Sequence, residues 1–188
     1  MGFLFVGNRL CLDFVNTRVI EHGRPVDYLQ SGDDVWRWLK AADAAAPSTG
    51  TKSRRQQLLR EARALRAAVE GLAARLAAGR PVPPSSVAAI NRVLRARREH
   101  LQLVRAAGGF RTARQSEAAD TLGSLAPVAL SAARLLTEDD PSRVRRCGNP
   151  ACILYFYDTT RSRTRRWCSM QGCGNRLKVA AHRQRLRN

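Results

Sequence analysis

Four cysteines, Cys147, Cys152, Cys168 and Cys173, crowd the last forty-two residues of this 188-residue chain in the order C-x4-C, fifteen residues, C-x4-C. Two close pairs around a central segment of this length are the arithmetic of a four-ligand zinc site. Each pair must turn tightly enough for two sulfurs to meet one ion. Gly148, Asn149 and Pro150 in the first pair and Gly172 in the second supply that turn chemistry. Four thiolates complete a tetrahedron and leave no open position, so the expected cofactor is one structural Zn2+. An iron–sulfur cluster would draw three of the cysteines closer together than they are here.

Between the pairs, Ile153 to Tyr157 is rich in β-formers and alternates in character, which predicts a short strand. Asp158, Thr159 and Thr160 would turn it, and Arg165 to Trp167 would return to the second pair. After Cys173 a helical stretch runs from Leu177 to Leu186. Zinc would thus pin a hairpin onto a basic helix, a staple that so small a segment needs in order to fold. Trp167 is expected to pack over the metal. Tyr155 and Tyr157 point opposite to Leu154 and Phe156, so one aromatic pair could lie open for base stacking. Asn175 would order the turn or support a thiolate, and Asp158 would cap its turn or pin an arginine.

Charge separates this tail from the rest. The chain carries 33 Lys and Arg against 15 Asp and Glu, a formal charge of +18. From Pro141 onward eleven Arg and one Lys face a single acid, Asp158, which places +11 of that total in 48 residues. Such a field favours polyanions, and arginine suits phosphate and guanine contacts. Candidate nucleic-acid contacts are Arg163, Arg165, Arg166, Arg176, Lys178, Arg183 and Arg185. DNA is the expected partner, with RNA or the ribosome, or an acidic protein docked on the module, as alternatives. No run of eighteen apolar residues occurs, which argues against a membrane span. Closely spaced unpaired cysteines suit the cytoplasm.

The first 140 residues read as helices packed through small side chains. Asn8 is placed to cap a short helix burying Leu10, Phe14 and Val15, although a strand over Leu4–Val6 is also possible. Residues 21–30 show turn residues and no period. Ser31 and Asp34 start a second helix with Val35, Trp36, Trp38 and Leu39 on its apolar face. The clearest helix spans 53–78, with Leu58, Leu65, Val69, Leu72 and Leu76 on one side. Gly79 stops it and Ser85 caps the next, which contains Ile90 and Val93. Gly108 and Gly109 suggest a hairpin. A final long helix is expected from 117 to 137, bent at Pro127. The fold class is therefore mainly α with a minor β-hairpin. A helical N-terminal domain, residues 1–140, is expected to be sensory or dimer-forming, and residues 141–188 are expected to form a zinc-bound β-hairpin/helix finger that binds nucleic acid.

Asp13, Asn16 and Thr17 are polar residues beside a core stretch. They would either line a pocket for a small-molecule effector or cap helices and make buried hydrogen bonds. Cys11 is expected as a buried core thiol. Catalysis finds no support: His22, His100 and His182 are scattered, and no HExxH pair, phosphate loop or GxSxG occurs. No catalytic residue is assigned, and the chain is expected not to be an enzyme.

The run Trp167-Cys-Ser-Met170 followed by Cys173-Gly-Asn-Arg176 resembles the signature of the CGNR zinc finger family. The likeness continues upstream through Cys147, Cys152, Phe156, Asp158 and Arg165-Arg166. GNRLCLDFVNT near the N-terminus resembles the start of the ABATE domain, which precedes this finger in many bacterial proteins. Together the two cover nearly the whole chain. Thr159-Thr160 departs mildly from the finger pattern. The resemblance implies a stress-induced transcription regulator with a DNA-binding finger, and a homodimer would lengthen the site it reads.

Overall fold

The computed structural model describes residues 2–44, 50–97, 99–116 and 121–179. Among these residues the chain is mainly helical, and the expected hairpin is one of three two-stranded antiparallel sheets. Helix α1, Leu10–Val15, buries Cys11, Leu12, Asp13, Phe14 and Val15. Arg9, not Asn8, holds its cap position, and no side chain caps it. Asn8 lies in the left-handed region at φ +59°, which asparagine tolerates. Its amide turns away from the helix to donate to the Tyr157 carbonyl at 3.0 Å.

The stretch without sequence period is also ordered. Strands β1, Arg18–Glu21, and β2, Arg24–Asp27, pair in register from Arg18 opposite Asp27 to Glu21 opposite Arg24. His22 at φ +51° and Gly23 at φ +77° make the turn. Two left-handed residues match the twist of a two-residue hairpin. Strands this short carry too few residues for alternation to stand out.

Helix α2, Gly32–Ala41, starts as expected: Ser31 accepts the Asp34 N–H at 3.2 Å, and the Asp34 carboxylate accepts the Ser31 N–H at 2.8 Å. That reciprocal pair satisfies two otherwise orphaned donors. Its buried face is Val35, Trp38 and Leu39, with Trp38 packed 4.9 Å from Phe14. Helix α3, Lys52–Ala77, buries the predicted Leu58, Leu65, Val69 and Leu72. Helix α4, Pro84–Arg95, buries Ile90 and Val93. It opens on Pro84 rather than after a Ser85 cap, because a proline in the first turn forfeits no helical hydrogen bond. Helix α5, Ala126–Thr137, has Pro127 in its first turn for the same reason. Pro127 therefore begins the helix rather than bending it.

Strands β3, Glu99–Ala106, and β4, Gly109–Ser116, pair along their whole length. Leu101, Leu103 and Phe110 share one face of this hairpin and are 70%, 67% and 66% exposed.

The last sheet joins the tail to the body. Strand β5, Val144–Arg146, pairs antiparallel with β6, Tyr155–Tyr157. The sequence suggested a hairpin formed between the two cysteine pairs, with Arg165 to Trp167 returning to the second pair; the partner of the central strand instead lies upstream, before the first cysteine. The physical reason is burial on both sides of β6. Tyr155, Tyr157 and Val144 enter the main core with α1, α2, α3 and α5. Leu154 and Phe156 face the opposite way, into a second cluster with all four tail cysteines and Val19 of β1. All four of these side chains, Leu154 to Tyr157, are at least 93% buried. Neither the Tyr155–Tyr157 face nor the Leu154–Phe156 face is open for stacking, which corrects that expectation. Burying each of them contributes about 2–3 kcal/mol, so β6 is a shared wall rather than a free hairpin.

Candidate metal centre and nucleic-acid interface

The knuckle after β5 is closed by main-chain bonds: Cys152 N–H to the Asn149 carbonyl at 2.9 Å and Cys147 N–H to the Leu154 carbonyl at 2.9 Å. The second knuckle is a π-helical turn, Met170–Gly174, in which Ser169 Oγ accepts the Gly172 N–H. Residues 175–179 continue it as helix.

These two turns bring the four Sγ atoms within 4.8 Å of one another. Cys152 and Cys168 are 3.9 Å apart, and Cys168 and Cys173 are 3.6 Å apart. A Zn–S bond of about 2.3 Å sets tetrahedral edges at about 3.8 Å, so the donors fit one zinc ion. Their chemistry agrees. Four thiols this close do not ionise together on their own. Cys152 is pulled down to about 5 against its burial, first by the Cys168 thiol, then by the Leu154 main chain and the Cys173 and Cys147 thiols. Cys168 is driven up because its proton is held against Cys152 and because the site is buried. A divalent cation supplies the charge that lets all four remain thiolates. The Cys168 N–H, 3.4 Å from Cys147 Sγ, adds a main-chain donor to the sulfur shell.

Trp167 packs over the centre as expected. A Cβ on Gly148 would meet its ring at 3.0 Å, and one on Gly174 would collide with Met170 Sδ and lie 3.0 Å from Trp167 Cδ1. Both knuckles therefore bring a glycine close against the tryptophan. Asn175 is exposed, and its main-chain N–H bonds the Gly172 and Met170 carbonyls, so it helps order the turn.

Asp158, the tail's lone acid, is fully buried. Its carboxylate accepts the Thr160 N–H at 2.9 Å, the Thr160 hydroxyl at 2.6 Å and the Arg165 N–H at 3.0 Å. Burial works to raise its pKa, but these donors outweigh it and hold the group below the usual carboxylate range. It both caps the turn and fixes the main chain at Arg165.

The candidate nucleic-acid residues divide. Arg165 is turned inward: Nε donates to the Trp167 carbonyl at 2.9 Å, and Nη2 donates to the carbonyls of Val6, at 3.0 Å, and Cys168. Its guanidinium also lies 4.3 Å over the Phe156 ring. It ties the metal module to the N-terminal segment. Arg163, at φ +55°, pairs with Asp140 at 3.2 Å and remains exposed. Arg166 is exposed with its guanidinium 5.0 Å over Trp167, and Arg176 and Lys178 are exposed on the helical segment after Cys173. Arg183 and Arg185 lie outside the described residues. Arg146 and Arg161 are exposed on the same module; the sequence reading passed over both. Their signal was adjacency to Cys147 and to the Asp158 turn.

Asp13, Asn16 and Thr17 are 8%, 1% and 1% exposed, and each is engaged by the chain itself. Asp13 accepts the Gly7 N–H at 2.7 Å. Thr17 donates to the Phe14 carbonyl at 2.7 Å and accepts from Arg66 at 2.8 Å. Asn16 binds both main-chain groups of Tyr155. With the Tyr157 N–H on the Gly7 carbonyl at 2.8 Å, the N-terminal GNRLCLDFVNT segment covers the edge of β6 that β5 leaves free. Arg9 completes the joint, 4.0 Å over the Tyr157 ring and paired with Asp139. Cys11 is fully buried, as expected, and its thiol is pushed up to about 12 by burial.

A helical body joined edge to edge with a four-thiolate structural zinc module defines the class of this protein. Residues 8–139 match the ABATE family, described as "Putative stress-induced transcription regulator", and residues 143–186 match the CGNR zinc finger. The chain belongs to the ABATE family and carries a CGNR zinc finger. No curated protein matches it.

Proposed function

We propose that the protein is a cytoplasmic, non-enzymatic DNA-binding transcriptional regulator whose finger supplies the contact surface. One observation carries this reading. Asp158 is wholly buried, so the described solvent-facing charge of the finger is positive throughout, from Arg146, Arg161, Arg163, Arg166, Arg176 and Lys178. Arginine and lysine on a rigid zinc-fixed frame position a protein on phosphates, while base-edge contacts confer sequence preference. The family description and the finger match support a regulatory role. Among the described residues no helix is long and apolar enough to cross a membrane.

A homodimer would let two fingers read spaced half-sites. The exposed Leu101, Leu103 and Phe110 on β3–β4 support such pairing; sedimentation of the full chain tests it. The binding test is selection of genomic DNA fragments by the zinc-loaded protein across a salt series, beside structured RNA. Enrichment of particular fragments above a steep salt-dependent background supports the regulator. Equal or tighter binding to RNA would replace it with an RNA-binding role, and no binding to either would leave a protein-interaction module.

A further inference from the structure

The richest unassigned feature is a cleft of about 440 Å³ between the β1–β2 hairpin and α3, reaching the finger at Ile153. This volume lies within the range of small-molecule sites. Its walls are mixed in a specific way. Val19, Pro25, Val26, Ala67 and Ile153 supply apolar surface, and three arginines and two acids supply charge.

The charges pair off and leave one over. Arg66, 4% exposed, is fixed by Asp27 at 2.5 and 2.7 Å and by Thr17. Arg18 pairs with Glu70 at 3.1 Å. Arg63 lies one turn before Arg66 on the same face of α3, and Nε and Nη2 both donate to the neutral Leu29 carbonyl, at 3.2 and 2.8 Å. Among the described residues it forms no ion pair. Asp27, already bound by Arg66, also feels Arg63, so the cleft holds one exposed guanidinium more than it has acids, beside an apolar wall.

We propose that this cleft binds a small organic monoanion, a carboxylate with an apolar body, with the carboxylate on Arg63 and the body against Val26, Ala67 and Ile153. Arginine's forked donors match a carboxylate and discriminate against a neutral isostere. A ligand here touches both halves of the protein. Val19 lies in the cluster that encloses the four cysteines, Val26 packs against that cluster, and Ile153 follows Cys152 directly. Occupancy is thus positioned to bias the set of the finger on the helical body. That consequence, an effector acting on DNA affinity, rests on the DNA-binding reading; the site itself does not.

The test uses the full zinc-loaded chain with phenylacetate as probe, beside phenylacetamide and inorganic phosphate, read by calorimetry without nucleic acid. Phenylacetate is expected to bind at least about tenfold more tightly than either control, because only it offers both charge and apolar body. Arg63→Gln should weaken phenylacetate by about tenfold or more; it also removes two hydrogen bonds to the Leu29 carbonyl, so its binding is read at a temperature where circular dichroism shows the variant fully folded. Ala67→Trp, at an exposed helix position, should fill the cleft and abolish binding. Equal binding of acid and amide, tighter binding of phosphate, no binding of phenylacetate, or indifference to Ala67→Trp would each overturn the site. A binding cleft in a protein that ignores DNA would sink the regulator reading and keep this one; DNA binding without probe binding would do the reverse.

Discussion

The side-chain amide of Asn16 grips both main-chain groups of Tyr155, Nδ2 donating to the carbonyl at 2.8 Å and Oδ1 accepting the N–H at 2.9 Å. A helix-end side chain from the N-terminal segment thus stands where a neighbouring strand would stand beside β6. Asn16→Ala would leave two buried peptide groups without partners, at about 1–3 kcal/mol each. Urea unfolding should show a loss of about 2–4 kcal/mol; a change under 0.5 kcal/mol would mean that the joint is not tight.

Because Val144, Tyr155 and Tyr157 sit in the main core, metal removal should not unravel the tail alone. Chelation is expected to lower the melting temperature of the whole helical signal in one transition. A helical transition unmoved by chelation would contradict the shared wall.

Two arginines four residues apart should behave oppositely. Arg165→Gln removes hydrogen bonds to the Trp167, Val6 and Cys168 carbonyls and should cost on the order of 2 kcal/mol in stability. Arg161→Gln, at an exposed position, should leave stability within about 0.5 kcal/mol. It should weaken nucleic-acid binding and reduce the salt slope by about one. Denaturation and salt titration of both variants check the contrast.

The Asp13 carboxyl is pushed up to about 6 by burial, against the Gly7 and Val6 N–H groups that lower it. The folded state therefore holds a proton that the unfolded chain releases near pH 4. Stability contributed by this group is present below pH 4 and is withdrawn as the pH rises to about 6, by on the order of 2–3 kcal/mol. Asp139, held below the usual range chiefly by its hydrogen bond from Arg9, acts in the other sense and loses its contribution only on acidification below about pH 4. The difference in unfolding free energy between Asp13→Asn and the parent should accordingly grow in the variant's favour from pH 4 to 6. A difference that is flat with pH would remove Asp13 from this role.

Gly174→Ala would drive a methyl into Met170 and Trp167 and loosen the knuckle that carries Cys173. Zinc affinity should fall about tenfold or more, as when metal-supporting groups are disturbed, measurable by competition with a chromogenic chelator. Unchanged affinity would show that the knuckle yields at no cost.

The metal centre was legible in the sequence because its information is local: cysteine type, spacing and turn residues fix which atoms can meet one ion. The long helices were legible for the same reason, since Leu58, Leu65, Val69 and Leu72 repeat at the period of their own element. What tertiary structure decided is everything that depends on a distant partner. Nothing near Tyr155 says that both faces of a three-residue strand will be buried, one by helices and one by cysteines. Nothing near Arg165 says that its charge turns inward to carbonyls that include Val6, while Arg146 and Arg161 stay at the surface. Asn8 illustrates the competition directly: a local capping role was available, and a hydrogen bond 149 positions away won. Periodicity and spacing report what a segment can do alone, whereas the fate of a single polar or charged side chain is set by which long-range groups would otherwise be buried without a partner.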